Sequence, residues 1–195
     1  MVRSRALITA MAVLISAALG CSGVGSATGN VDPVYDPATG QLQMLTYDSD
    51  RDGQPDMWSY MDGPRILRIE IDRDRDSKID RWEYYGANQE IEKVGFSSAN
   101  DGMVDFWAFY ASDGTLIRLE RSRKRDGRVD RIEHYDQTVM TSAEEDANGD
   151  GSIDKWESYE GRRLASVAFD TSNRGRPDRR LVYAPDGTAR LEMLP

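Results

Sequence analysis

The sequence holds one cysteine, Cys21, and one histidine, His134, among 195 residues. A lone cysteine excludes an internal disulfide framework, and His134 lies in a unit without a second histidine or a free cysteine, so no histidine-cysteine zinc site can be assembled around it. No glycine-rich phosphate loop stands between a strand pattern and a helix pattern. Basic charge is in deficit: 25 Lys and Arg face 34 Asp and Glu, a formal charge of −9. That balance disfavours nucleic acid and anionic lipid as partners and favours cations. Long hydrophobic runs are missing too. The apolar stretch Ala6 to Leu19 has 14 residues, whereas a spanning helix needs about 20.

What is present begins at the N-terminus. Arg3 and Arg5, the apolar stretch and the small residue Gly20 give the three regions of a secretory signal in order. The residues Ala18-Leu19-Gly20-Cys21 resemble the lipobox of bacterial lipoproteins. The resemblance implies that residues 1–20 are a signal peptide and that Cys21 becomes the acylated, palmitate-bearing first residue. This use also accounts for an unpaired thiol in a secreted chain. Loss of Arg3 and Arg5 would take the formal charge from −9 to −11. By the same resemblance, Ser22 rather than aspartate after the cysteine implies the outer membrane in a double-membraned bacterium. Residues 21–33 read as a lipidated N-terminus and a flexible Ser/Gly/Ala tether, and residues 34–195 as the folded body.

That body is a repeat. Asp56, Asp80, Asp105, Asp130, Asp154 and Asp178 recur at steps of 24 or 25 residues. Two residues later stand Trp58, Trp82, Trp107, Ile132, Trp156 and Arg180. Five residues later stand Met61, Tyr85, Tyr110, Tyr135, Tyr159 and Tyr183. Each unit has two short alternating runs, such as DRWEYY and EIEKVGF, separated by turn residues, which is hairpin patterning. A half repeat from Tyr35 opens the array. A lone hairpin is marginal in water, so the hairpins must lie side by side to bury their aromatics. The expected fold is all-β: about seven tandem hairpins forming an extended twisted antiparallel sheet or an open solenoid. It resembles bacterial tandem-hairpin repeats of the tyrosine-aspartate and MORN-like kinds over residues 35–193. His134 falls where other units have Tyr60, Tyr84 or Phe109, and reads as a variant of that sheet position.

The acidic loops between hairpins are where chemistry is expected. Residues 146–157, DANGDGSIDKWE, resemble the twelve-residue calcium loop of EF-hand proteins at every ligand position. That resemblance implies ligands from Asp146, Asn148, Asp150, the Ser152 carbonyl, Asp154 and Glu157. Residues 72–83 keep Asp72, Asp74, Asp76, Asp80 and Glu83, with Lys78 offering its carbonyl, but Ser77 stands where the bend prefers glycine. Residues 48–59 keep Asp48, Asp50, Asp52 and Asp56, with the Gln54 carbonyl, and end in Ser59 without a closing carboxylate. In the loops at 97–105, 122–130 and 170–178 the acids have thinned, and basic residues stand in the last two, Arg123, Lys124 and Arg125 in one and Arg174 in the other, so in these units a side-chain cation is expected to pair with the remaining aspartates. Gly63-Pro64, Gly86 and Asp113-Gly114 exclude the flanking helices of a true EF-hand. Thrombospondin type 3 repeats show that such loops can bind calcium without helices.

Acids repeated in every unit form a scaffold pattern rather than the single carboxylate pair of a glycosidase. The expectation is therefore a non-enzymatic lipoprotein, stabilised by calcium, anchored to a membrane and presenting a surface to a protein or polysaccharide of unspecified identity. A carbohydrate-binding module or small enzyme using a cleft lined by Trp58, Trp82, Trp107 and Trp156 is the alternative. Tryptophans in a regular row would favour the first reading, and tryptophans gathered round a hollow the second.

Overall fold

A computed structural model describes residues 30–195; Cys21 and the signal segment lie outside the described residues. Fourteen strands follow one another: β1 (Val31–Tyr35), β2 (Leu42–Tyr47), β3 (Met57–Asp62), β4 (Arg65–Ile71), β5 (Arg81–Tyr85), β6 (Ile91–Phe96), β7 (Phe106–Tyr110), β8 (Leu116–Arg121), β9 (Arg131–Asp136), β10 (Val139–Glu145), β11 (Lys155–Glu160), β12 (Arg163–Phe169), β13 (Arg179–Tyr183) and β14 (Ala189–Met193). They form one antiparallel sheet in sequence order, seven hairpins in a row. β1 and β14 do not pair, so the sheet stays open. No helix is present among the described residues. Val31, Asp32 and Pro33, read above as the end of the tether, pair with Tyr47, Thr46 and Leu45. The Ser/Gly composition stops before Val31, and Pro33 is tolerated because β1 is an edge strand, where a missing N–H need not cost a ladder bond.

Each strand touches only its two neighbours in sequence. The sheet is therefore a single layer, and its fully covered apolar core is small: Val94, Ala108, Ala143, Val167 and Ala168. Stability has to come from cross-strand pairs on both faces. One face carries Trp58, Trp82, Trp107, Ile132 and Trp156 in one register row, alternating with Glu70, Gly95, Glu120, Glu144 and Ala168 on the intervening strands. Beside that row, Arg68 lies 4.0 Å from the Tyr60 ring centre, Lys93 4.5 Å from Tyr84 and 4.1 Å from Trp107, and Arg118 4.0 Å from Phe109. These stacked cations cover ring faces that have no second sheet to pack against.

The repeat also contains a repeated irregularity. In six hairpins one residue of the second strand has no partner: Gln43, Leu67, Glu92, Ile117, Thr141 and Ala165. A bulge at the same place in successive hairpins adds twist at each step. It also leaves Leu67 and Ile117 exposed.

Candidate cation-binding loops

The two long edges of the sheet differ. Hairpin turns line one, and the six acidic loops line the other, at 48–56, 72–80, 97–105, 122–130, 146–154 and 170–178. The backbone ladder runs straight through these loops. The amide of each later loop's first residue donates to the carbonyl of the preceding loop's last: Asp72 to Asp56 at 2.9 Å, Ser97 to Asp80 at 2.8 Å, Ser122 to Asp105, Asp146 to Asp130 and Asp170 to Asp154 each at 2.9 Å. The loops are thus stacked one on the next.

Within a loop the aspartates organise their own backbone. Asp72 accepts from the amides of Arg75 at 2.7 Å and Ser77 at 2.8 Å, and Asp80 accepts from Arg73 at 2.7 Å. Asp48 does the same for Arg51 and Gly53, and Asp146 for Gly149 and Gly151. Folding the loop this way places its fourth and sixth residues at positive φ. The sixth position is usually glycine, but Ser77 takes φ 69°, a conformation that costs a residue with a Cβ about 1–2 kcal/mol.

The fourth residue has a second use. Its side chain reaches back into the preceding loop. Arg75 meets Asp50 at 2.8 Å and Asp56 at 3.6 Å; Arg125 pairs with Asp101 and meets Asp105 at 3.1 Å. Asn100 donates to Asp74 at 2.7 Å, and the Ser152 amide, with a smaller contribution from Asn173, holds the Asp150 carboxyl below its usual range. Gly149 has no side chain, and there the 122–130 loop uses its own Arg123, 2.9 Å from Asp130. The expected side-chain cation is therefore in place at 97–105 and at 122–130. At 170–178 the basic residue of the loop itself does not pair with an aspartate: Arg174 bonds Ser172 at 2.8 Å, while Asp178 takes the Thr171 hydroxyl and lies 3.9 Å from Arg179, just beyond the loop. The expectation did not extend to 48–56, where Arg75 pairs with Asp50 and approaches Asp56. Arg75 belongs to a different repeat, so its direction was invisible in the spacing of its own loop.

Among the described residues, three carboxylates present oxygens within 4.8 Å of one another in two loops: Asp48, Asp50 and Asp52, and Asp72, Asp74 and Asp80. The loop at 146–154, the fullest match in sequence, does not do so. Asn148 there bonds Asp150 at 3.1 Å, and Asp154 accepts from the amides of Ala147 and Asn148. Ser152, Lys78 and Gln54 give their amides to Asp150, Asp76 and Asp52.

Glu157 and Glu83 lie in β11 and β5, with their carboxylates engaged on the sheet face. Glu157 takes Arg131 at 2.9 Å, Lys155 at 2.7 Å and the Tyr159 hydroxyl at 2.9 Å; Glu83 takes Arg81 at 2.6 Å and Tyr85 at 2.7 Å. Burial pushes the Glu157 carboxyl up, and those three hydrogen bonds more than reverse it, holding it at about 2. Arg131 also holds Glu133 and Glu145, both at 2.8 Å. Burial opposes its charge, yet the bonds to Glu157 and Glu133 keep its pKa above the usual range.

A groove of about 550 Å³ lies between the 97–105 and 122–130 loops, lined by Phe96, Phe106, Arg121, Arg123 and Arg125. Two of its three arginines are committed to Asp101, Asp105 and Asp130. The tryptophans stand in a row on a sheet face and do not gather round this groove.

No protein-family model and no curated protein matches the sequence. Among solved structures, a crystal structure of TarM is similar at TM-score 0.40 and 11% identity, over 49% of this chain and 18% of that one. A structure of accessory secretory proteins 1, 2 and 3 in Streptococcus pneumoniae is similar at TM-score 0.40 and 12% identity, over 54% and 19%. The chain thus spans less than a fifth of either.

Proposed function

We propose that this chain is a non-enzymatic lipoprotein of the cell envelope. A lipid on Cys21 holds an acidic, calcium-ordered β-repeat scaffold at a membrane surface, the outer membrane in a double-membraned cell, where it meets a protein or polysaccharide. The observation that carries this reading is the row of stacked acidic loops, in which side-chain cations lie between some sets of carboxylates and other sets lack one. Carboxylates crowded this closely repel each other, so a bound divalent cation would stiffen each junction and with it the alignment of neighbouring hairpins. The loop sites would be structural, with affinities near the about 10⁻⁴ to 10⁻³ M of extracellular calcium modules. Catalysis needs unlike groups gathered once. Here the same groups recur at every step of the sheet.

The test uses the full chain in detergent, unfolded thermally in about 5 mM calcium, several-fold above that affinity range, and again in chelator. Calcium should raise the melting temperature, and identical curves would remove the calcium claim. Cys21→Ser should abolish palmitate incorporation and release the chain from the membrane fraction; unchanged labelling would refute the anchor. The half-buried row of Trp58, Trp82, Trp107 and Trp156 favours one second reading, stacking on a polysaccharide. Envelope oligosaccharides that quench tryptophan fluorescence saturably would support it, and a flat titration would discard it.

A further inference from the structure

We propose that the 72–80 loop is a calcium site shared between two repeats, with Asp72, Asp74 and Asp80 as carboxylate ligands and Asn100 of the following loop as a neutral fourth. The proposal rests on the calcium-ordered reading above and names which junction takes the ion and what selects it.

The decisive atom is Asp80 Oδ1. Asp80 is only 5% exposed, and this oxygen is buried without any hydrogen-bond partner, while Oδ2 accepts from Arg73. An orphaned anionic oxygen in such a place is costly unless a cation meets it. The corresponding aspartates of the other loops have partners for both oxygens. Asp105 is served by Ser98 and Arg125, Asp130 by the amide and guanidinium of Arg123, Asp154 by two amides, and Asp178 by Thr171. Asp56 has Ser49 on one oxygen and Arg75 3.6 Å from the other. Asp80 alone lacks a second partner, and its carboxylate stands with those of Asp72 and Asp74 within 4.8 Å.

The reason is the identity of one residue. Where the following loop supplies arginine at its fourth position, a guanidinium enters, as Arg75 and Arg125 do. Asn100 at that position brings no charge. It touches Asp74 through its amide nitrogen, and the same amide turned over offers an oxygen. Of the three cations in the loop, Lys78 is paired with Asp76 at 2.7 Å, Arg75 reaches into the preceding loop, and Arg73 gives Asp80 only its backbone amide, so among the described residues no side-chain cation is paired with Asp72, Asp74 or Asp80. An all-oxygen donor set of three carboxylates and an amide, without octahedral regularity, suits calcium better than magnesium. At these three junctions the fourth residue thus acts as a selector for the loop before it: Arg75 and Arg125 supply a built-in cation, and Asn100 leaves room for a metal.

The experiment is calorimetric titration of the full chain in detergent with calcium chloride, comparing wild type, Asp80→Asn and Asn100→Arg, with melting temperatures in calcium and in chelator. Both variants should bind one calcium fewer per chain. Asp80→Asn should melt higher than wild type in chelator, because an orphaned charge is gone, and lower in calcium. Asn100→Arg should fold as the Arg75 and Arg125 junctions do, with a smaller gain from calcium. Variants that bind as many ions as wild type, while wild type still gains stability from calcium, would overturn this site and leave the scaffold reading standing. A wild type that binds no calcium would overturn both.

Discussion

At the residue scale, single positions work hard because no second layer shares the load. Gly95 is one. A Cβ there would lie 2.6 Å from Cζ3 of the Trp107 ring, which crosses the strand at that point. Gly95→Ala should destabilise the sheet by about 1–3 kcal/mol, the usual cost of overpacking. It should also shift Trp107 emission, and denaturant unfolding followed by fluorescence reads both. Arg131 is another, with its side chain 17% exposed among Glu133, Glu145 and Glu157. Arg131→Ala leaves Glu145 to Lys155 and Arg123, Glu157 to Lys155, and Glu133 to the Tyr135 hydroxyl alone, and should cost about 3–5 kcal/mol. Arg131→Lys should recover little of it, since one ammonium cannot replace a forked guanidinium reaching three acids. Equal stability of the lysine variant and wild type would show that charge alone suffices.

At the scale of the element, the seven hairpins share a plan but not the same turns. β3–β4 and β11–β12 turn on Gly63 and Gly161, at φ 58° and 61°. β9–β10 turns on Gln137 and Thr138, at φ 47° and 74°. Both values belong to a type I′ turn, which prefers Asn-Gly, and a β-branched threonine is poorly suited to positive φ. Replacing Gln137-Thr138 by Asn-Gly should stabilise the chain by about 1 kcal/mol or more, measured by chemical denaturation. No gain would mean that neighbouring hairpins, not the turn, set the stability of this unit. The glycine turns were legible in the sequence. This one was not, because neither residue signals a turn by itself and only the pairing of Asp136 with Val139 reveals it.

At the scale of the whole molecule, a thin acidic sheet depends on keeping its carboxylates charged. Glu133, Glu145 and Glu157 all titrate below their ordinary range in the fold: burial opposes this, and hydrogen bonds from Arg131 and Lys155 win. A carboxyl whose pKa falls on folding contributes stability that is full above its unfolded value and is lost as pH drops through the folded one. For Glu157 that window runs from 4.5 down to about 2. The melting temperature should therefore fall steeply across that range, and less steeply in Arg131→Ala, where the shift has lost its main source. Parallel pH profiles for the two proteins would contradict this.

How much of this was legible beforehand follows from the range of each interaction. Strand alternation, turn glycines and the 24- to 25-residue spacing are local, so the sequence by itself determined an all-β array of tandem hairpins and the aspartates that frame its loops. It also pointed to the lipobox at Cys21, which lies outside the described residues. Tertiary structure decided what depends on neighbours across repeats. It placed Glu157 and Glu83 in ion pairs on the sheet face, aimed Arg75 into the 48–56 loop, and satisfied Asp154 with amides while leaving Asp80 Oδ1 without a partner. The fullest calcium motif in sequence is therefore not where the carboxylates converge. A spacing rule counts ligands within one loop, whereas in a stacked sheet the last partner comes from the next repeat, about 25 residues away.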